Sequence, residues 1–288
     1  MGGSNPGTLD DRPTVLVEAT DLAEEMLGHA VPVVLDIRWS LSGSDREGYR
    51  AGHVPGALFV DLDAELADPV GDGSLGRHPL PGATALQALW RRVGIRPTDT
   101  VVVYDANNAS AAARAWWLLR WSGIPARVLN GGLAAWEAAG LRTIPGDGTP
   151  LVPGSVTVVG DRLPTVDPEA AAALASDPAT VLLDARAAAR YRGEVEPIDP
   201  KAGHIPGAAN LPFTDLLEPD GRFRPEAELR EAFAAAGIVP GVTAGASCGS
   251  GVTACHLILA AASVGLPLAL YPGSFSQWCA LDREIATG

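Results

Sequence analysis

The chain has 288 residues, 47% of them apolar, with 33 glycines, 24 prolines and a formal net charge of −13. That length exceeds what one hydrophobic core usually serves and suits two domains. The acidic balance excludes a general affinity for nucleic acid or an anionic membrane, which would repel it, and no apolar run is long enough to span a bilayer.

Residues 1–11 combine Gly, Asn, Pro and Asp with neither a basic region nor an apolar core, so they read as a flexible tail, not a signal peptide, and a cytoplasmic protein is expected. The run Val31-Pro-Val-Val-Leu-Asp36 predicts a short buried strand ending in an acid, and Val181-Leu-Leu-Asp184 repeats it. Ala51-Gly-His-Val-Pro-Gly-Ala57 returns as Ala202-Gly-His-Ile-Pro-Gly-Ala208. Val101-Val-Val-Tyr-Asp105 corresponds to the stretch ending at Cys248, and residues 129–136 correspond to 271–278. Two copies in one order predict two similar domains. Short β-rich runs alternate with helical stretches such as residues 83–93 and 109–121, which predicts α/β domains, each a mainly parallel sheet flanked by helices. Residues 144–164 open on a Pro- and Gly-rich stretch and read as a linker between a domain over 12–143 and another over 165–288. His53 and His204, in the repeated Pro-Gly turns, are read as satisfying local backbone groups. Tyr49 stands four residues before His53, and Pro200 holds the matching place before His204.

The stretch Ala246-Ser-Cys-Gly-Ser-Gly-Val-Thr-Ala254 is followed by an apolar run, so it predicts a strand, a tight loop and the opening of a helix, with Cys248 at the head of the loop. Backbone N–H groups of Gly249, Gly251, Val252 and Thr253, with the positive end of the helix, would form an anion cradle that stabilises a thiolate. Read alone, Cys248 also suits a small core residue at a strand end. Cys255, about two helical turns on, reads as core, and Cys279 has no context suggesting reactivity. Three cysteines without metal-ligand spacing fit a reducing compartment and imply neither a disulfide framework nor a metal site. Asp105 is the counterpart of Cys248, and because a carboxylate cannot do the chemistry of a thiolate, the first copy is expected to wall a cleft for the second.

The loop Cys248-Gly-Ser-Gly-Val-Thr253 resembles the active-site loop of the rhodanese superfamily of sulfurtransferases, specifically its 3-mercaptopyruvate branch. The resemblance extends over residues 49–57, the surroundings of Asp63 and His78, and residues 186–208 and 271–278. It implies two tandem rhodanese-like domains, the second catalytic, with no cofactor. It also implies a small-molecule sulfur donor and a thiol acceptor such as a small thiol or thioredoxin. Cys248 would hold the sulfur as a persulfide. Ser250, His78 and Asp63 match a Ser-His-Asp relay that manages the proton as the C–S bond breaks. Arg190 matches the first of two arginines that hold the donor's carboxylate and keto oxygens. The second arginine usually follows a Glu-Pro pair. Here Glu196-Pro197 is followed by Ile198 and Asp199, with Lys201 the next cation and a candidate replacement.

Three other readings stand beside this one. A thiosulfate sulfurtransferase of the same fold typically carries Arg and Lys after the cysteine, where this chain has Gly249 and Ser250. A cysteine phosphatase or arsenate reductase needs an arginine six residues after the cysteine, and that position is Ala254. A persulfide carrier or binding module without turnover would keep the fold but has no need of Asp63, His78 and Arg190.

Overall fold

A computed structural model describes residues 12–148 and 152–288. The tail expected over residues 1–11 lies outside the described residues.

The first half builds strands β1 (Leu16–Val17), β2 (Val33–Asp36), β3 (Trp39–Ser40), β4 (Gly43–Ser44), β5 (Leu58–Phe59), β6 (Val101–Tyr104) and β7 (Ala126–Leu129). Five of them form a parallel sheet in the order β1-β7-β6-β2-β5, and β3 with β4 makes a small antiparallel ribbon. The second half builds β8 (Thr180–Asp184), β9 (Ala209–Asn210), β10 (Thr243–Ser247) and β11 (Ala269–Leu270), a parallel sheet in the order β11-β10-β8-β9. Every residue of β6 is buried, which fits its unbroken apolar sequence at the centre of a sheet covered on both faces. The central strand of the second sheet instead uses small residues. A Cβ added to Gly245 would lie 2.9 Å from Leu174 in the helix Pro168–Ser176, so the missing side chain lets that helix close on the sheet.

Each copy repeats one turn in detail. Asp36 grips Arg38 at 2.9 Å and Asp184 grips Arg186 at 2.6 Å, and these arginines donate to the carbonyls of Gly52 and Gly203. His53 Nδ1 lies 2.9 Å from the Tyr49 carbonyl and stacks on that tyrosine, so the turn histidine does serve the local backbone. His204 repeats the arrangement on Tyr191, 2.8 Å from its carbonyl. Tyr191, and not Pro200, is thus the spatial counterpart of Tyr49. Both hydroxyls donate to the alanine carbonyl that closes the turn, Ala57 and Ala208. Tyr49 precedes its histidine by four residues and Tyr191 by thirteen, so the second copy carries nine additional residues within the turn.

At the start of the linker Ile144 bridges to His53, its described remainder forms no helix or strand, and Thr165, just past it, bridges to Leu270 at the edge of the second sheet. The linker runs over the first domain: Gly154 N–H donates to Arg91, Val156 N–H to Ile95 and Val159 N–H to Ser122. The domains meet through the helices Ala112–Trp121 and Ala254–Ala262, which follow β6 and β10 and pack on each other. Both are buried along most of their length, and one apolar cluster includes residues of each, Trp117 and Leu118 from the first, Leu257 and Ile258 from the second. The loops at the C-terminal ends of β6 and β10 are therefore drawn toward the same interface, where ligands of open α/β sheets bind.

Candidate active site

Cys248 follows the last residue of β10 and is 1% exposed. Gly251, three residues on, has φ +78°, and a Cβ there would meet the Pro272 carbonyl at 2.2 Å, so the loop tolerates only glycine at that point. This conformation turns the Gly251 N–H toward the Cys248 Sγ at 3.1 Å. Val252 and Thr253 open the following helix, their carbonyls accepting from Cys255 and His256. The helix Ser274–Ala280 closes the other side. Ser274 Oγ accepts from Cys248 N–H at 3.0 Å and lies 4.0 Å from Sγ, while the N–H groups of Phe275 and Ser276 donate to the carbonyls of Cys248 and Gly249. Orphan donors of that helix's first turn thus hold the loop backbone.

The first domain brings His78 and Asp63 to Ser250, the three residues expected to form a relay. His78 Nδ1 is 2.8 Å from Ser250 Oγ, and His78 Nε2 is 3.3 Å from Asp63 Oδ1. The other Asp63 oxygen accepts from Trp39 Nε1 at 2.8 Å, and the Trp39 ring meets His78 edge-on. With the carboxylate holding Nε2–H, the Nδ1 lone pair faces the Ser250 hydroxyl, so the relay is set to accept a proton from the serine side. Burial, and then the charge of Arg114, push the His78 pKa below 6.5, against the upward pull of Asp63. Trp39 has no motif around it, and its role is visible only once the β3–β4 ribbon folds beside Asp63.

Two arginines lean over the cradle. A Cβ at Gly249 would lie 3.0 Å from Arg77 Nη2 and 3.7 Å from both terminal nitrogens of Arg190. Arg190 is held by Glu196 through Nε at 3.2 Å and Nη2 at 2.6 Å, and Nη2 also reaches Asp199 at 3.3 Å. Arg77, from the first domain, pairs with the other oxygen of Asp199. Burial alone would raise both acids. It prevails at Asp199, whereas Arg190 and the N–H groups of Asp199 and Ile198 pull Glu196 below the usual carboxylate range. Lys201, expected as a replacement cation, pairs instead with Asp282 at the surface, its side chain 42% exposed. Arg77 adjoins His78 in sequence, but nothing in the sequence analysis marks it. Its link to Asp199 spans 122 residues, and no local pattern announces it.

Beneath the loop lies Arg114, fully buried on the helix Ala112–Trp121. Among the described residues it has no carboxylate partner. It donates instead to the carbonyls of Leu66, His78, Pro79 and Gly251, at 3.0 to 3.3 Å. One buried guanidinium therefore ties the cradle of the second domain to the histidine loop of the first. Cys255 donates its thiol to the same Gly251 carbonyl at 3.3 Å, and burial pushes its pKa up to about 12, so it remains a thiol. Burial likewise raises Cys279, to about 11.

The first domain has its own version of the cradle, already filled. Asp105 Oδ1 accepts from the N–H groups of Asn107 and Ala109, and Oδ2 from those of Ala111 and Ala112.

The geometry gathers a cysteine, a Ser–His–Asp hydrogen-bond chain that crosses between the domains and a pair of guanidiniums around one loop. The family model described as the rhodanese-like domain matches residues 19–139 and 167–281. A Pseudomonas aeruginosa protein provisionally named 3-mercaptopyruvate sulfurtransferase is 45% identical over 265 residues, covering 89% of this chain and 92% of its own. A Mycobacterium tuberculosis protein provisionally named thiosulfate sulfurtransferase, SseB, is 44% identical over 276 residues, covering 93% and 94%. The crystal structure of SseA from Escherichia coli, described as a 3-mercaptopyruvate sulfotransferase, superposes with a TM-score of 0.80 at 32% identity, covering 91% of this chain and 99% of that one. The matches run almost end to end through both halves of the chain, and this protein belongs to the rhodanese family as a tandem of two rhodanese-like domains.

Proposed function

We propose that the protein is a sulfurtransferase that takes sulfur from 3-mercaptopyruvate onto Cys248 and passes it, as a persulfide, to a thiol. The observation that carries this reading is the Ser250–His78–Asp63 relay, assembled across the domain interface two residues from the cysteine. The Cys248 thiolate attacks the donor sulfur, forming an S–S bond as the C–S bond breaks and its electron pair passes to the pyruvate enolate. The donor's S–H proton must leave the sulfur and reach the departing carbon fragment. Ser250, polarised by the neutral His78, accepts it and returns it. A thiolate acceptor then attacks the outer sulfur, releasing the Cys248 thiolate and a persulfide of the acceptor. Arg190 holds the donor carboxylate, and the loop residues Gly249, Gly251, Val252 and Thr253 shape the cradle. A small thiol or thioredoxin suits the acceptor role, and a cytoplasmic setting keeps such thiols reduced.

A specific observation favours thiosulfate as a second donor. The neutral Gly249 and Ser250 argue against a dianion only if cations must lie within the loop, and Arg77 and Arg190 reach Gly249 from outside it. The test is to incubate the protein with each donor, record the mass of the intact chain, and compare steady-state kcat/KM. One added sulfur on Cys248 with a preference for mercaptopyruvate supports the first reading. No sulfur gained from either donor sinks both.

A further inference from the structure

We propose that Trp39 is a positioning residue of the relay: its indole N–H fixes the Asp63 carboxylate against His78, and the β3–β4 ribbon delivers it there. The proposal rests on the sulfur-transfer reading and adds to the relay a fourth side chain. The Asp63 side chain is 45% exposed, and its contact with His78 Nε2 is long, at 3.3 Å. A carboxylate turns easily about its last torsion, whose preference is broad, so one long bond beside water does not fix it. Trp39 Nε1 donates to the other oxygen at 2.8 Å, the shorter of the two contacts. With one partner on each oxygen the plane of the carboxylate is set. The indole is itself held in place, because it packs against the main apolar cluster and meets the His78 ring edge-on, with centroids 5.9 Å apart. Indole and imidazole thus stand side by side, and Asp63 bridges their N–H groups.

The ribbon holds the backbone of Asp63 as well as its side chain. Trp39 pairs with Ser44 across the two strands, and Ser44 Oγ donates to Asp61 Oδ1 at 2.8 Å. Asp61 caps the short helix Leu62–Glu65 by accepting from Ala64 N–H, so the two facing residues of the ribbon grip that helix at its cap and at Asp63. Among the described residues the second copy has no such ribbon. Residues 185–187 alone join Asp184 to the helix Ala188–Tyr191, where residues 37–45 join Asp36 to the helix Arg46–Ala51. The added segment of the first copy therefore serves a histidine that faces the cysteine loop of the other domain. A fixed Asp63 keeps the proton on His78 Nε2 and leaves the Nδ1 lone pair to Ser250, the state that takes the S–H proton of a thiol donor. Thiosulfate has no such proton, and a thiolate acceptor brings none, so neither step calls on the relay.

The experiment separates the proton-coupled step from the others. Single-turnover loading of Cys248 is followed with mercaptopyruvate and with thiosulfate, and discharge of the preloaded persulfide is followed with 2-mercaptoethanol. Trp39→Phe keeps the ring and removes the donor. It is expected to slow loading from saturating mercaptopyruvate about ten-fold, with the half-saturating donor concentration and Tm nearly unchanged. Loading from thiosulfate and discharge should each change less than about two-fold. The Asp63→Ala background leaves no carboxylate to hold, so adding Trp39→Phe there should cost less than about two-fold more. An unchanged mercaptopyruvate rate in Trp39→Phe, an equal loss in thiosulfate loading or in discharge, or the same loss again on top of Asp63→Ala would overturn the proposal. If the wild type loads no sulfur from mercaptopyruvate, it is the underlying sulfur-transfer reading that fails.

Discussion

In the first domain, the loop after β6 folds four backbone N–H groups onto the carboxylate of Asp105, and the site is closed by its own side chain. In the second, the loop after β10 presents one N–H to a sulfur and leaves the remaining space to two arginines and a serine. The sheets, the Asp–Arg pairs and the Tyr–His turns are otherwise alike. The cradle is therefore a property of the fold, and the residue at its head decides whether it is a structural plug or a reactive centre. The second difference is the nine extra residues between Tyr191 and His204. They carry Glu196 and Asp199, the acids that hold the guanidiniums, so the copy with the cysteine is also the copy whose turn has grown toward the cleft.

The largest expected effect breaks the contrast at its centre. Cys248→Ser should abolish turnover with both donors and leave the thermal transition near the wild-type value, since the hydroxyl keeps the volume but cannot carry sulfur. Next, His78→Ala and Asp63→Asn should each slow sulfur loading about 10²-fold in single-turnover experiments. Wild-type rates in both would reduce the first domain to a scaffold. Asp105→Ala probes the filled cradle, and its cost should fall on stability: four donors lose their acceptor, at about 3 kcal/mol or more in denaturant unfolding, while kcat per folded molecule stays within about two-fold. A loss of activity without loss of stability would mean that the plug communicates with the centre.

A smaller effect is read in pH. His78 accepts the Ser250 proton only when neutral, and burial together with Arg114 holds its pKa below 6.5, so loading should persist to below that pH and then fall. Arg114→Met removes one of the downward influences, leaving burial and the weaker one of Arg77, and should move this acid limb to higher pH. A limb that stays in place would separate Arg114 from the relay. Smallest of all, Cys255→Ser and Cys279→Ser should retain most activity, because both thiols are held protonated by burial.

Much of this was legible in sequence because the information was local. The apolar strands, the duplicated Gly-His-(Val/Ile)-Pro-Gly turns and the glycine-flanked cysteine each lie within a few consecutive residues, and resemblance connected Ser250 to His78 and Asp63. Tyr191 was hidden because the inserted residues broke the fixed spacing that marks Tyr49. Lys201 looked like a replacement cation because sequence distance stood in for space, yet its ammonium turns to Asp282. Arg114 sits in an apolar helix where nothing distinguishes a buried arginine from a solvated one. Its surroundings come from carbonyls 35 to 137 residues away, and only the packed interface brings them together.

That same arginine bears on how the two halves come together during folding. A guanidinium without a carboxylate partner is costly to take from water until all its carbonyl acceptors are in place, and one of them, Gly251, belongs to the other domain. Half-docked arrangements, in which Arg114 has lost water but not yet gained that carbonyl, are therefore unfavourable. Docking should be close to all-or-none, and recovery of activity should trail recovery of helical signal when the denatured chain refolds.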